Sequence, residues 1–289
     1  DIEVFSADST YEEQIFPKAE KDHDVITQIV TMFSSFGERD SYLTEALVLS
    51  KQPVQHDGIV VRCFDSEREL IQAWADSYAR EGVSATSTYN GLGFDFAYIY
   101  RRAEKLRVDL NILSRDKKTE VSLYEQTLES AGLGFNSFQS LVTPGMLHAD
   151  VMVDIKRAYK LDSYKLEFCA PHFLKTVKKV DFKPQEQFDA FRSGEPEQLA
   201  KLLNYCYYDV KCTFLLEFKL NIIMNILATA SVAWVTPTMC STRGQQIRSY
   251  CCLLQEIKQQ KVAYFLPDMK DDVSGVSTFQ GATVLEPEK

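Results

Sequence analysis

Three short stretches of this sequence set carboxylates and hydroxyls at spacings that could do chemistry. The first is Asp1-x-Glu3, on a short β-type run where residues i and i+2 project from one face. Two carboxylates side by side repel unless a cation lies between them, so the spacing suits a divalent-metal ligand pair. A solvated strand end is the plainer alternative, because a chain with 41 acidic residues meets such pairs by chance. The second stretch runs from Tyr89 through Asn90, Gly91, Leu92, Gly93, Phe94 and Asp95 to Ile99. Here a strand ends, a glycine-containing turn allows close backbone approach, and a helix begins with Asp95 in its first turn. Asp95 as an ordinary helix-start acid and Asn90 as a turn former are the competing readings. The third is Tyr205-Cys206-Tyr207-Tyr208-Asp209, in a helical pattern that turns Tyr205 and Asp209 to one face. A phenol beside a carboxylate can orient a water for attack, which phosphodiester hydrolysis requires. A tyrosine on a core face with its aspartate in solvent would look the same.

These residues need elements to hold them. Asp1–Phe5 and Val25–Phe33 read as strands, separated by a charged, solvated loop over Tyr11–Asp24, and short β-rich runs follow at Leu47–Leu49 and Gly58–Cys63. Glu67–Arg80 has helical spacing through Leu70, Trp74, Ala75 and Tyr78. Thr86–Tyr89 reads as a strand and Phe94–Leu106 as a helix with Arg101, Arg102 and Lys105 on its polar side. The order predicts an α/β layer fold with a mixed sheet. A β-hairpin is expected over Arg107–Tyr124, its basic turn at Ser114–Lys118 either suited to DNA or simply solvated. His148–Ile155 is a strand candidate, a helix begins at Phe168–Leu174, and Asp181–Pro196 reads as a surface connection. From Pro196 to Thr229 the pattern is helical almost throughout.

Composition narrows the classes. A net charge of −9 over 289 residues argues against a freestanding basic nucleic-acid coat and against a polybasic membrane anchor. It leaves room for an enzyme whose carboxylates are neutralised by metal ions and whose phosphate contacts come from a local Lys/Arg face. The seven cysteines show no zinc-type spacing, and an odd set of scattered thiols implies a reducing, intracellular compartment. Leu220–Val235 carries Asn221 and Asn225 and is too short and polar to cross a bilayer, so a buried helix is expected and no membrane partner. The opening Asp1-Ile2-Glu3 has no basic or apolar leader. His148 and His172 are expected to be structural, Trp74 and Trp234 core residues, Lys165 a solvated lysine rather than a phosphate contact, and Cys251-Cys252 packing residues.

Taken in order, D-I-E, Y-N-G-L-G-F-D-F-A-Y-I and Y-C-Y-Y-D-V resemble the three exonuclease motifs of the family-B DNA polymerases. The stretch from Asp154 to Leu166 is similar to the family's pattern between its second and third motifs. Arg243-Gly244-Gln245-Gln246-Ile247 resembles the start of the palm, and Gln280–Pro287 the stretch just upstream of the first polymerase aspartate. The chain departs from the family pattern twice. No apolar strand leads into Asp1, as if the chain were an excised fragment, and D-x-x-S-L-Y-P and D-T-D are absent, so these residues are not expected to carry polymerisation. The acidic insertion after Phe5 points to a large-DNA-virus branch.

The resemblance implies a ribonuclease-H-like α/β domain with flanking helices over 1–221, then a mostly helical passage, 222–289, into the palm. It implies a 3′→5′ proofreading exonuclease in which Asp1, Glu3 and Asp209 ligate one Mg²⁺ or Mn²⁺, while Asp1 and Asp95 hold a second. Tyr205 would position the attacking water, and Asn90 and Phe94 would lie against the terminal nucleotide. The implied partners are a single-stranded 3′ primer end, the palm, fingers and thumb of an intact polymerase, and a processivity factor, in a nucleus or a viral replication site. Two other classes compete: an inactive nuclease-like scaffold that binds DNA or partner subunits, and a structure-specific or RNA-directed nuclease on the same core. The first would have lost carboxylates that this sequence keeps. The second would not carry R-G-Q-Q-I or Q-G-A-T-V-L-E-P.

Overall fold

The computed structural model describes residues 1–116, 118–130, 134–175 and 182–261. Its centre is a mixed four-stranded sheet in the order β1 (Ile2–Val4), β2 (Ile26–Phe33), β3 (Leu43–Leu49) and β4 (Val60–Phe64). The first two pairings are antiparallel and the third parallel, with Ile29 of β2 opposite both Ile2 and Leu47. Alternation along β2 and β3 buries both faces of the sheet. Ile29 and Leu47 pack with Leu70 and Trp74 of α1 (Glu67–Glu81) and with Phe96 and Ile99 of α2 (Asp95–Leu106). Val30, Ala46 and Val48 face the other way, onto Leu199, Leu203, Cys206 and Val210 of α6 (Pro196–Leu220). Those four lie on one stripe of α6, so the long helix must seat on the sheet; each leucine fully buried there contributes about 2 kcal/mol.

Beside this sheet, β5 (Ala85–Thr88) pairs in parallel with β8 (Leu147–Asp150), and β6 (Ser122–Ser130) pairs with β7 (Gly134–Val142) as a hairpin. The described residues also form α3 (Val151–Ala158), α4 (Leu166–Leu174), α5 (Pro184–Ser193), α7 (Ile222–Ala233), α8 (Pro237–Thr242) and α9 (Gln245–Gln259). The expected mixed α/β layer with flanking helices and a helical continuation is present. Among the described residues no single helix is long and apolar enough to cross a membrane.

Several local expectations are corrected. The hairpin expected over 107–124 does not form: Leu110–Leu113 is a 3-10 turn capped by Asp109, and the true hairpin is β6–β7. His148–Ile155 is strand only to Asp150, whose carboxylate accepts from the backbone N–H groups of Met152 and Val153 and starts α3 instead. The polar stretch 181–196 contains α5, with Pro184 at its first turn and Gly194 closing it in the left-handed region. Asn221, at φ 51°, breaks the long helical run into α6 and α7. Arg102 is not on a solvated face. It is buried against Glu67, which also accepts from Ile26 N at 2.8 Å, and its Nη1 donates to the carbonyls of Ala19 and Lys21 at 3.0 and 2.6 Å. A buried pair so fully hydrogen-bonded fixes the 19–24 loop against α1 and α2. Trp74 is core, but Trp234 is 56% exposed, Cys252 is exposed, and α9 buries none of its residues. Residues 280–287 lie outside the described residues.

Candidate active site

The stripe that seats α6 on the sheet decides where Tyr205 and Asp209 go. Cys206 is in that stripe and fully buried, and its sulfur lies 4.0 Å from the Asp1 carbonyl and 3.9 Å from Asp1 Oδ2. The third sequence stretch is thereby brought against the first across more than two hundred residues. Carboxylate oxygens of Asp1 and Glu3 and the Cys206 sulfur all fall within 4.8 Å of one another. Asp95 closes on the same strand: its Oδ1 accepts from Ile2 N at 3.3 Å, so it is more than a helix-start acid. Burial raises the Asp95 carboxyl above the ordinary aspartate range.

The electrostatics report the same convergence. Burial pushes the Cys206 thiol well up, and Glu3, Asp209 and Asp95 each push it further in the same direction. Three acids separated along the chain therefore act on one buried sulfur that also touches the fourth, Asp1. The other two possible donors beside that sulfur are the carboxylate oxygens of Asp1 and Glu3. Carboxylate oxygens of this kind suit a divalent cation.

The turn between β5 and α2 is built to a tight tolerance. Asn90 is left-handed at φ 66°, and a Cβ on Gly91 would sit 2.6 Å from Thr88 Cβ, so only glycine fits. Asp150, 1% exposed, holds the turn: its oxygens accept from Asn90 N and Leu92 N at 3.1 Å each, and from Met152 N and Val153 N at 3.0 and 3.3 Å. Burial raises its carboxyl to about 6, against those N–H groups. Sequence reasoning missed Asp150 because a cap in the middle of an apolar alternation looks like a strand residue. It also missed Phe16, 68% exposed in the 7–24 loop, whose ring meets Phe94 edge-on at 5.2 Å. The signal available was an aromatic residue in an otherwise polar loop. Tyr205 is half-buried on α6, edge-on to Phe182 at 6.0 Å. His148 is structural, as expected: Thr86 and Thr143 hydroxyls meet its two ring nitrogens at 2.8 and 3.2 Å, and burial holds its pKa near 4.

Comparison with known proteins identifies one family. The family model described as DNA polymerase family B, exonuclease domain, matches residues 1–168, and that described as DNA polymerase family B matches residues 235–289. Tyr205 and Asp209 fall between the two matched stretches. The chain is 32% identical over 269 residues to the DNA polymerase delta catalytic subunit of Oryza sativa subsp. japonica, covering 92% of this chain and 24% of that one. It is 30% identical to the Drosophila melanogaster protein of the same name, over 95% of this chain and 24% of that one. A DNA polymerase of Paramecium bursaria Chlorella virus NY2A is 28% identical over the full chain and 31% of its own length. The chain thus spans 24–31% of the length of these relatives.

Proposed function

Because this chain belongs to DNA polymerase family B, we propose that residues 1–221 form a 3′→5′ proofreading exonuclease and that 222–289 lead into a polymerase palm. The reading is supported by Asp1 and Glu3, whose carboxylate oxygens group with the Cys206 sulfur, by Asp95, which accepts from Ile2 N on the strand between them, and by Asp209, three residues after Cys206 on α6. Asp1, Glu3 and Asp209 would hold one Mg²⁺ or Mn²⁺, and Asp1 with Asp95 a second. Such ions, when bound, lower the pKa of the attacking water and stabilise the departing 3′ oxygen.

The chain's own residues do the positioning. Tyr205, four residues before Asp209 on α6, orients the water with its hydroxyl. Asn90 and Phe94 receive the terminal nucleotide, the amide by hydrogen bonding and the ring by contact with base or sugar. The edge contact between Phe16 and Phe94 supports that role by extending the aromatic surface next to the acids. Mismatch selectivity follows from melting rather than base reading, since a mispaired end unstacks at lower cost and reaches a site that admits only single strand. In the intact protein the partners would be primer DNA, the remaining polymerase domains and a processivity factor.

The test is loss of 3′ nucleotides from a labelled single-stranded oligonucleotide in Mg²⁺, for the parent and for Asp1→Ala and Asp209→Ala. Metal-dependent shortening by the parent alone is expected. No shortening by the parent, repeated with the chain extended upstream of Asp1, would leave the enzyme reading without support; equal rates on paired and mispaired ends would remove the melting account.

A further inference from the structure

Cys206 has two sets of neighbours. With Leu199, Leu203 and Val210 it packs onto Val30 and Ala46 of the sheet, as a buried thiol serving as a small apolar group would. Its sulfur, however, also lies 3.9 Å from Asp1 Oδ2, and it falls within 4.8 Å of a carboxylate oxygen from each of Asp1 and Glu3. Among the described residues this is the one group in which three acid, cysteine or histidine donors come so close together. Hydrolysis as proposed above uses the oxygens and gives the sulfur no role.

Bonds of ~2.0–2.2 Å to oxygen and ~2.3 Å to sulfur set the donors of a tetrahedral cation ~3.3–3.6 Å apart. The last torsions of aspartate and glutamate are broad, so Asp1 and Glu3 can close to that spacing by turning their carboxylates. The donor types then decide which cations gain. Mg²⁺ binds oxygen, keeps several of its waters and gains nothing from sulfur. Zn²⁺ and Cd²⁺ gain a thiolate bond as well as the two carboxylates. We propose that Cys206 makes this an inhibitory site for thiophilic divalent cations such as Zn²⁺ and Cd²⁺, held by its sulfur together with Asp1 and Glu3. As the metal–sulfur bond forms, the S–H bond breaks and its proton passes to solvent. The bound ion occupies the two carboxylates that Mg²⁺ needs, so hydrolysis stops. The inference rests on the reading of Asp1 and Glu3 as cation ligands and adds the sulfur as a third donor.

The experiment uses the full chain, reduced and stripped of metal, carrying Cys63→Ser, Cys251→Ser and Cys252→Ser because those three thiols are not buried. Cd²⁺ is titrated in, and the ultraviolet sulfur-to-cadmium charge-transfer absorption reports the bond. The absorption should saturate in this form and vanish in Cys206→Ser. Glu3→Gln keeps the thiol and its packing but removes an anionic donor, so Cd²⁺ should bind it about tenfold or more weakly. Excision in Mg²⁺ should be halted by Cd²⁺, with at least ~10-fold more needed for Cys206→Ser, each protein read against its own rate without Cd²⁺. Thermal melting shows whether Cys206→Ser has lost the bond or the fold, and in the second case Glu3→Gln decides. Excision in Mg²⁺ with no charge-transfer absorption on adding Cd²⁺ would overturn the sulfur donor and leave the proposed function standing. An absorption that survives Cys206→Ser, or that Glu3→Gln leaves at full affinity, would overturn the three-donor site. The expected absorption with no excision in Mg²⁺ would support the sulfur donor and sink the proposed hydrolysis alone.

Discussion

Asp150 and Asp209 are both hidden from solvent, 1% and 9% exposed, one capping α3 beside the turn that carries Asn90 and the other on α6 after Cys206. Their surroundings differ in kind. Asp150 gathers four backbone N–H groups, and its carboxylate is satisfied by the scaffold alone. Asp209 shares its neighbourhood with Glu3 and Asp95, and together they drive a buried thiol further from ionisation. Acids crowded together repel, so a cluster of this sort favours a bound cation, whereas an acid wrapped in N–H donors favours a fixed backbone. The contrast separates a candidate chemical acid from an architectural one where burial alone cannot.

The largest effect should come from Asp209→Ala. Excision in Mg²⁺ is expected to fall ~10³-fold or more, while the melting temperature in EDTA stays level or rises, because a like charge has gone. A clear drop in melting temperature would move Asp209 into the class of Asp150. The opposite signature is expected of Asp150→Ala: four N–H groups lose their acceptor and α3 its cap, which costs about 4 kcal/mol in urea unfolding.

The pH dependence sharpens the same contrast. Because burial raises the Asp150 carboxyl to about 6, the folded state holds a proton that the unfolded chain releases near pH 4. Its contribution to stability is therefore fully present below about pH 4 and is lost as pH rises through 6. Relative to Asp150→Asn, which does not titrate, the parent should gain up to about 3 kcal/mol between pH 7 and pH 4. Unfolding midpoints at several pH values check this, and parallel curves for the two proteins would refute it. The smallest expected effect is that of Tyr205→Phe, about tenfold in excision rate with unchanged folding, since only a hydroxyl is removed.

Much of the candidate site was legible because its residues are tied to local patterns. An acid-x-acid run on a strand, a glycine turn into a helix, and a tyrosine four residues before an aspartate each have a periodicity that names their face. The long amphipathic elements, α1, α2 and α6, were legible for the same reason. Less legible were the places where two periods coincide. Val151, Val153 and Ile155 alternate like a strand, and only the carboxylate of Asp150 turns them into a helix. Arg102 is polar by type, and nothing within α2 announces that Glu67 and two loop carbonyls await it in the core.

By itself, then, the sequence determined which residues are candidates for the proposed hydrolysis and which elements present them, since side-chain type and helical or strand period are local properties. Tertiary structure alone decided that Asp1 meets Cys206, that Asp95 reaches Ile2, and that Asp150 clamps the turn between them. These contacts span tens to hundreds of residues. Their geometry depends on how α6 and α3 settle against the strands, which is set by packing across the whole core rather than by any one segment.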